Sequence, residues 1–147
     1  MKILNKTFSI LFLGTAFTLL TASFSPVQTY SVKVRLEGLK NTDGSVRIAL
    51  ATKDGFLKTN YQLKVTKISG EDMEVEFKDI PEGEYSVSVI HDENEDNVLN
   101  RGMKGIPSEG YGFSNNPKPK AGPPAFEDVK VEVKSNQSIL VKMVYWG

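Results

Sequence analysis

Apolar and polar residues alternate with period two through most of the chain beyond residue 30. Val32, Val34 and Leu36 alternate with Lys33, Arg35 and Glu37, and Val46, Ile48 and Leu50 follow after a turn. Leu63 and Val65 form a third short run. Met73, Val75 and Phe77 alternate with Glu74, Glu76 and Lys78, and Tyr85, Val87 and Val89 with Ser86 and Ser88. Val129, Val131 and Val133 alternate with Lys130, Glu132 and Lys134; Ile139, Val141, Met143 and Tyr145 close the chain. Side chains on a strand point alternately to its two faces, so this pattern predicts seven strands, each buried on one face. Turn residues separate most of them, at Asn41-Thr42-Asp43-Gly44, Asp54-Gly55, Ser69-Gly70, Pro81-Glu82-Gly83 and Ser135-Asn136. The segment from Lys53 to Asn60 has room for one turn of helix, and no amphipathic helix is apparent elsewhere. Short strands with polar outer faces predict an all-β, antiparallel β-sandwich of about seven strands, Ig-like in its layering, with one long ordered loop. Parallel pairing is not expected, because no helical stretch is present to serve as a crossover.

One local pattern is more specific. Phe77-Lys78-Asp79-Ile80-Pro81-Glu82-Gly83-Glu84-Tyr85 places a strand end, a Pro-x-Gly turn and a new strand within nine residues. It resembles the F-x-x-(I/L)-P-x-G-x-Y hairpin of transthyretin-like and carboxypeptidase-regulatory-like domains, which implies a transthyretin-like form of the sandwich.

The first 23 residues read as an address rather than fold. Lys2 and Lys6 precede the uncharged, mostly apolar run Phe8–Leu20, and small residues follow at Thr21, Ala22 and Ser23. That is the plan of a secretory signal peptide, with cleavage between residues 22 and 29. The run is shorter than the roughly 20 residues a membrane-spanning helix needs; an uncleaved anchor is the competing reading. Residues 30–146 then form one β-sandwich domain, with no membrane span, in an exported protein of the periplasm, cell surface or medium.

Composition narrows the chemistry. Eighteen Lys+Arg balance eighteen Asp+Glu, with one His and no Cys. The absence of a basic excess argues against nucleic-acid binding. Without Cys there is no disulfide, thiolate metal site or cysteine nucleophile, and a single His excludes a multi-histidine zinc site.

The densest polar chemistry is His91-Asp92-Glu93-Asn94-Glu95-Asp96-Asn97-Val98-Leu99-Asn100, with four carboxylates in five positions. With Asp92 as position 1, Asn94, Asp96, Val98 and Asn100 fall at 3, 5, 7 and 9, the first ligands of an EF-hand-type loop. Asn97 occupies position 6, where the loop needs a left-handed backbone that Asn tolerates. Oxygen donors of this kind favour a hard ion, and Ca²⁺ is the expected cofactor. Position 12 holds Met103 instead of a bidentate Glu, so a full EF-hand is ruled out, and Glu109 or water would complete the shell. The competing reading is a solvated acidic turn. His91 shares the inward face of its strand with Val89, with Asp92 facing away. It is expected to hydrogen-bond at the rim of the core and orient the acidic loop; metal ligation or general-base chemistry is the alternative.

Residues 102–124 contain five Gly and five Pro, a composition that opposes regular structure. Ile106, Tyr111 and Phe113 nevertheless supply anchors, so the segment 102–126 is expected to be an ordered loop over one end of the sandwich, beside the acidic loop. Tyr111, Phe113, Ser114, Asn115 and Asn116, with His91 and Glu109, form a candidate docking surface. Alternatively, the aromatics plug an open end. The motifs His91-Asp92-x-Asn94, Gly105-Ile106-Pro107-x-Glu109-Gly110-Tyr111-Gly112-Phe113-Ser114-Asn115-Asn116 and Gly122-Pro123-Pro124-x-Phe126-Glu127 together resemble an exported bacterial family, domain of unknown function 2141. The resemblance spans about residues 30 to 146. Asn97 stands where that family usually has Gly, and Asn100 where it commonly has Asp. The resemblance implies export, a β-sandwich and a shared loop surface, and it supplies no reaction.

The function expected is therefore an exported, non-enzymatic module whose acidic loop and Gly/Pro/aromatic loop face an envelope protein, peptide or glycan. A structural or assembly component of the envelope, without a small-molecule ligand, is the alternative. A hydrolase using loop carboxylates such as Glu93 and Glu109 is the third reading. No nucleophile elbow, phosphate-binding loop or zinc motif is present.

Overall fold

A computed structural model describes residues 26–120 and 122–146. Residues 1–23, expected to be a signal peptide, lie outside them. Eight strands form: β1 (Thr29–Glu37), β2 (Ser45–Ala51), β3 (Gln62–Lys67), β4 (Met73–Pro81), β5 (Gly83–Asp92), β6 (Gly110–Phe113), β7 (Lys130–Val133) and β8 (Gln137–Lys142). One helical turn, α1 (Phe126–Val129), precedes β7. The strands make two sheets. One has the order β4-β1-β8; the other runs β3-β2-β5-β6, with β7 pairing β5 beside β6. The all-β sandwich expected from the alternation is the observed architecture.

The core is the set of residues that the period-two pattern points inward. Val32, Val34 and Leu36 of β1, Val46, Ile48 and Leu50 of β2, Phe77 and Ile80 of β4, Val87 and Val89 of β5, and Val141 of β8 are all buried. Each such side chain stabilises the fold by about 1.5–3 kcal/mol through lost apolar exposure.

Three details of strand number, pairing and extent differ from the sequence expectation. First, the long 102–126 segment contains a strand, β6, making eight rather than seven. Its period-two logic is Gly-Tyr-Gly-Phe: the glycines face the core and the aromatics face out. A Cβ on Gly112 would lie 2.6 Å from Val141 Cγ1, and one on Gly110 would lie 2.2 Å from Tyr145 Cε1. Only glycine lets β6 approach β8 and the C-terminal segment this closely. Second, β1 and β8 pair in parallel, from Val32↔Gln137 to Glu37↔Lys142. No crossover helix is needed, because the rest of the domain lies between the two strands in sequence. Third, Val129 ends α1 and is buried there, so the strand begins one residue later.

Ser114 closes the seam where β6 gives way to β7 along the edge of β5. Its N–H donates to Val87 O (2.9 Å), and its hydroxyl accepts from Val87 N–H (3.0 Å) and donates to Val129 O.

Candidate functional site

β5 carries two consecutive polar residues into the interior at its end. His91 is fully buried on the core face, as expected from its phase. Its Nδ1 lies 2.6 Å from the Tyr145 hydroxyl and its Nε2 lies 2.9 Å from Asp43 O. It therefore anchors the β1–β2 turn and the C-terminal segment, whereas the sequence reading had it orienting the acidic loop. That loop is oriented by Asp92 and Glu109.

Asp92 lies on the opposite side of β5, yet it is only 1% exposed because the following loop folds over it. Its Oδ1 accepts Asp96 N–H (3.1 Å) and its Oδ2 accepts Asn97 N–H (2.9 Å). Glu109, 6% exposed, accepts Glu93 N–H through Oε1 (3.0 Å) and Asn100 N–H through Oε2 (2.9 Å). Two buried carboxylates thus hold four main-chain N–H groups from residues 93–100. Hydrogen bonds of this kind to a charged acceptor offset the cost of taking it out of water.

Asn94, Glu95, Asp96, Asn97 and Val98 face solvent. Asn94 Nδ2 donates to Asp96 Oδ2 (3.1 Å) and to Asn100 Oδ1 (3.1 Å), and Asn100 Nδ2 donates to Asp96 Oδ2 (2.8 Å). The Asn100 amide, the Val98 N–H and the Asn94 amide hold the Asp96 carboxyl below its ordinary value. Asn97 has φ 72°, the left-handed conformation expected at that position, and Glu95 shares it at φ 61°. Arg47 Nη1 donates to Asn97 Oδ1 (2.5 Å), and Lys67 pairs with Glu95. Of the residues considered as metal ligands, Asn94, Asp96 and Asn100 come together, while Asp92 and Glu109 have all four carboxylate oxygens engaged by main-chain N–H. Among the described residues, no group of three or more His, Cys, Asp and Glu side chains could hold a metal ion.

The docking residues of the long segment divide in the same way. Ser114 is fully buried in the β6–β7 seam, where its hydroxyl bonds to main chain. Asn115 donates through Nδ2 to Lys130 O (2.8 Å). Asn116 donates to Leu140 O (3.0 Å) and accepts Lys142 N–H (2.7 Å), so its amide serves as one more rung on the edge of β8. These amides hold strands together. Tyr111 and Phe113, half-buried, lie on the outer face of the five-stranded sheet rather than over an end of the sandwich.

That outer face is the feature the sequence reading missed. Strand register places Val65, Arg47, Ile90 and Tyr111 in one row across four strands, and Leu63, Ala49, Ser88 and Phe113 in the next. Arg47 is the single charged residue in the two rows. Leu63 is 43% exposed and Val65 50%. Phe113 makes edge-to-face contacts with Phe56 and Tyr111, at centroid distances of 6.4 and 6.1 Å, and Trp146 Nε1–H donates to the Tyr111 hydroxyl (2.9 Å). The outer face of the other sheet is the reverse: Lys33 stands opposite Glu76, Arg35 opposite Glu74 and Glu37 opposite Lys142. One sheet is clothed for water, and the other has two central, mostly apolar rows flanked by Lys67 on one side and by Glu84, Lys130 and Glu132 on the other. A signal for this was present in Ile90, which breaks the alternation of β5 by following Val89 directly.

The fold and the site define a small all-β sandwich domain with two mostly apolar rows on the outer face of one sheet and a self-bonded acidic loop. The chain belongs to the family described as "Uncharacterized protein conserved in bacteria (DUF2141)", whose model matches residues 34–140. No curated relative and no solved structure matches it. Among the described residues, no helix is long and apolar enough to cross a membrane.

Proposed function

We propose that this protein is an exported, non-enzymatic docking module, acting in the periplasm, at the cell surface or in the medium. Its docking face is the outer surface of the five-stranded sheet, with the 92–100 loop at one margin. The observation that carries the reading is the pair of cross-strand rows from Val65 to Tyr111 and from Leu63 to Phe113, which leave Leu63 and Val65 exposed and Ile90, Tyr111 and Phe113 half-exposed side by side. Contiguous apolar surface on a small domain marks an interaction site. The partner class is an envelope peptide or glycan, for which Tyr111, Phe113 and Trp146 supply aromatic surface and Arg47 and the Tyr111 hydroxyl supply polar contacts.

The test compares binding of labelled wild-type protein and a Leu63→Ser/Ile90→Ser variant to isolated cell-envelope fractions and to peptidoglycan. Lost binding with an unchanged circular dichroism spectrum supports the docking face. Undiminished binding of the variant sinks it. Failure of the wild type to bind any fraction favours a structural role without a ligand, and hydrolysis of the glycan would favour the enzyme reading.

We further propose Ca²⁺ as a ligand of the 92–100 loop. The supporting observations are the convergence of Asn94, Asp96 and Asn100 and the left-handed Asn97. With Asp92 and Glu109 occupied by main-chain N–H, the donor set is short of charge, which fits weak, millimolar affinity of the kind found in extracellular modules. A rise in melting temperature at millimolar Ca²⁺ that Asp96→Asn abolishes is the expected result. No rise in the wild type overturns it.

A further inference from the structure

The two sheets each end in an unpaired strand on the same side of the sandwich. On that side β3 is the edge of one sheet and β4 the edge of the other, with β6/β7 and β8 at the opposite edges. They flank a shallow groove of about 640 Å³, lined by Leu63, Lys64, Val65, Glu74, Val75 and Glu76 among others. Within the molecule they run antiparallel, since Gln62 Nε2 donates to Lys78 O (3.1 Å) at one end and residues 68–72 link them at the other.

The edges carry opposite charge. Residues 55–70 include Lys58, Lys64 and Lys67 and no carboxylate; residues 71–79 include Glu71, Asp72, Glu74, Glu76 and Asp79 against Lys78 alone. The basic edge is also the apolar one: Leu57, Tyr61, Leu63 and Val65 are all exposed there.

We propose that the occupant of this side is a second copy of the chain, in a two-fold dimer in which each basic β3 pairs with the partner's acidic β4. A two-fold axis parallel to the strands does this geometrically. It exchanges the two layers, so that β3 of one copy meets β4 of the other in the same layer. It preserves strand direction, so that each new pair is antiparallel. The contact is isologous and closes on itself. Both edges on this side are paired at once, which removes their exposed main-chain donors and acceptors. With the faces of the two strands matched, one register sets Lys67 opposite the partner's Glu74, and Lys64 opposite the partner's Phe77. Lys64 already reaches over an aromatic ring, its Nζ lying 5.7 Å from the Phe77 centroid of its own chain. Opposite charges across neighbouring strands favour pairing and like charges oppose it.

Sedimentation velocity on the chain as purified from cells, from about 1 to about 100 μM, decides the point because dimer content follows protomer concentration. The expected result is a concentration-dependent dimer, with more monomer at high salt. Lys67→Glu gives monomer, and so does Glu74→Lys; the double variant, with the charges exchanged across that pair, regains the dimer. A wild-type protein that stays monomeric over the whole range overturns the proposal without any variant. So does a dimer that survives both charge reversals, or a folded double variant that fails to associate.

Discussion

The Tyr145 hydroxyl stands 2.6 Å from His91 Nδ1 and ties the C-terminal segment to the interior end of β5. His91 Nε2 faces Asp43 O, which can only accept, so Nε2 carries a hydrogen and Nδ1 receives the Tyr145 O–H. The same hydroxyl accepts Lys40 N–H at 3.1 Å. One tyrosine thus links the β1–β2 turn, β5 and the segment after β8. Tyr145→Phe leaves Nδ1 of a fully buried imidazole without a partner, a cost of about 1–3 kcal/mol. Urea denaturation should show that loss as a lower midpoint with an unchanged slope. A change within error would mean that water or a shifted ring replaces the bond.

Gly112 faces the core where β6 passes closest to β8. An alanine Cβ there meets Val141 Cγ1 at 2.6 Å and Lys142 O at 3.0 Å, and the second of these is main chain and cannot rotate away. Overpacking of a filled core costs about 1–3 kcal/mol. Gly112→Ala is expected to lower stability within that range, whereas Gly105→Ala meets no atom within 4 Å and is limited to the strain of its positive φ. Thermal melts of the two variants compare the mechanisms directly.

The alternation of Val32 with Lys33, or Val46 with Arg47, was enough to place two sheets and most of the core, because period two is a purely local property. What the alternation could not supply is which face of a strand is the inner one when both candidates are plausible. β3 shows this: Leu63 and Val65 read as core, but pairing with Ala49 and Arg47 puts them outside, and Gln62, Lys64 and Thr66 face the core side. Register across strands decides the face, and register is a long-range property. β6 escaped for a different reason. Gly110 and Gly112 have low strand propensity in isolation, and their function is to make room for Tyr145 and Val141, more than 25 residues away in sequence. At the acidic loop, spacing singled out Asp92 as the first ligand of a cation loop, with Glu109 offered to complete its shell, and in the structure both carboxylates accept main-chain N–H groups. Their role differs from the expectation, because a carboxylate can satisfy a main-chain N–H as well as a cation.

Glu109 bridges two points of the acidic loop with its two oxygens. Glu109→Gln exchanges one acceptor for an NH₂ group that faces an N–H donor, so one of the two bonds is lost and a buried donor is left unpaired. Faster hydrogen exchange is expected at Glu93 or Asn100, confined to the loop, while the protection of β2 and β5 stays unchanged. Global acceleration would mean that the loop is part of the cooperative core.

Alkaline pH should destabilise the domain through two tyrosines. Burial holds the Tyr145 hydroxyl above its ordinary value, and burial, with a smaller contribution from Tyr61, does the same for Tyr85. A raised folded-state value means the native protein keeps its proton longer than the unfolded chain does. The associated stability is complete below the unfolded value of about 10 and is lost as pH rises through the folded values. Melting temperature should therefore fall above about pH 10, and Tyr145→Phe, though less stable at neutral pH, should fall less steeply. Equal slopes for wild type and variant would remove Tyr145 from the account.

The same substitution at two valines of identical local pattern distinguishes the faces of the sandwich. Val34 sits between Lys33 and Arg35, and Val65 between Lys64 and Thr66. Val34 is fully buried against the facing sheet, and Val65 is half exposed on the outer face of β3. Threonine keeps the branched shape and the strand preference of valine and adds a hydroxyl. At Val34 that hydroxyl enters an apolar core, at a cost of about 1–3 kcal/mol. At Val65 it meets water, and the change stays within about 0.5 kcal/mol, as for most surface substitutions. Chemical denaturation of Val34→Thr and Val65→Thr should therefore separate them clearly. Equal losses would show that β3 turns its apolar residues inward, and would remove Val65 and Leu63 from the docking face.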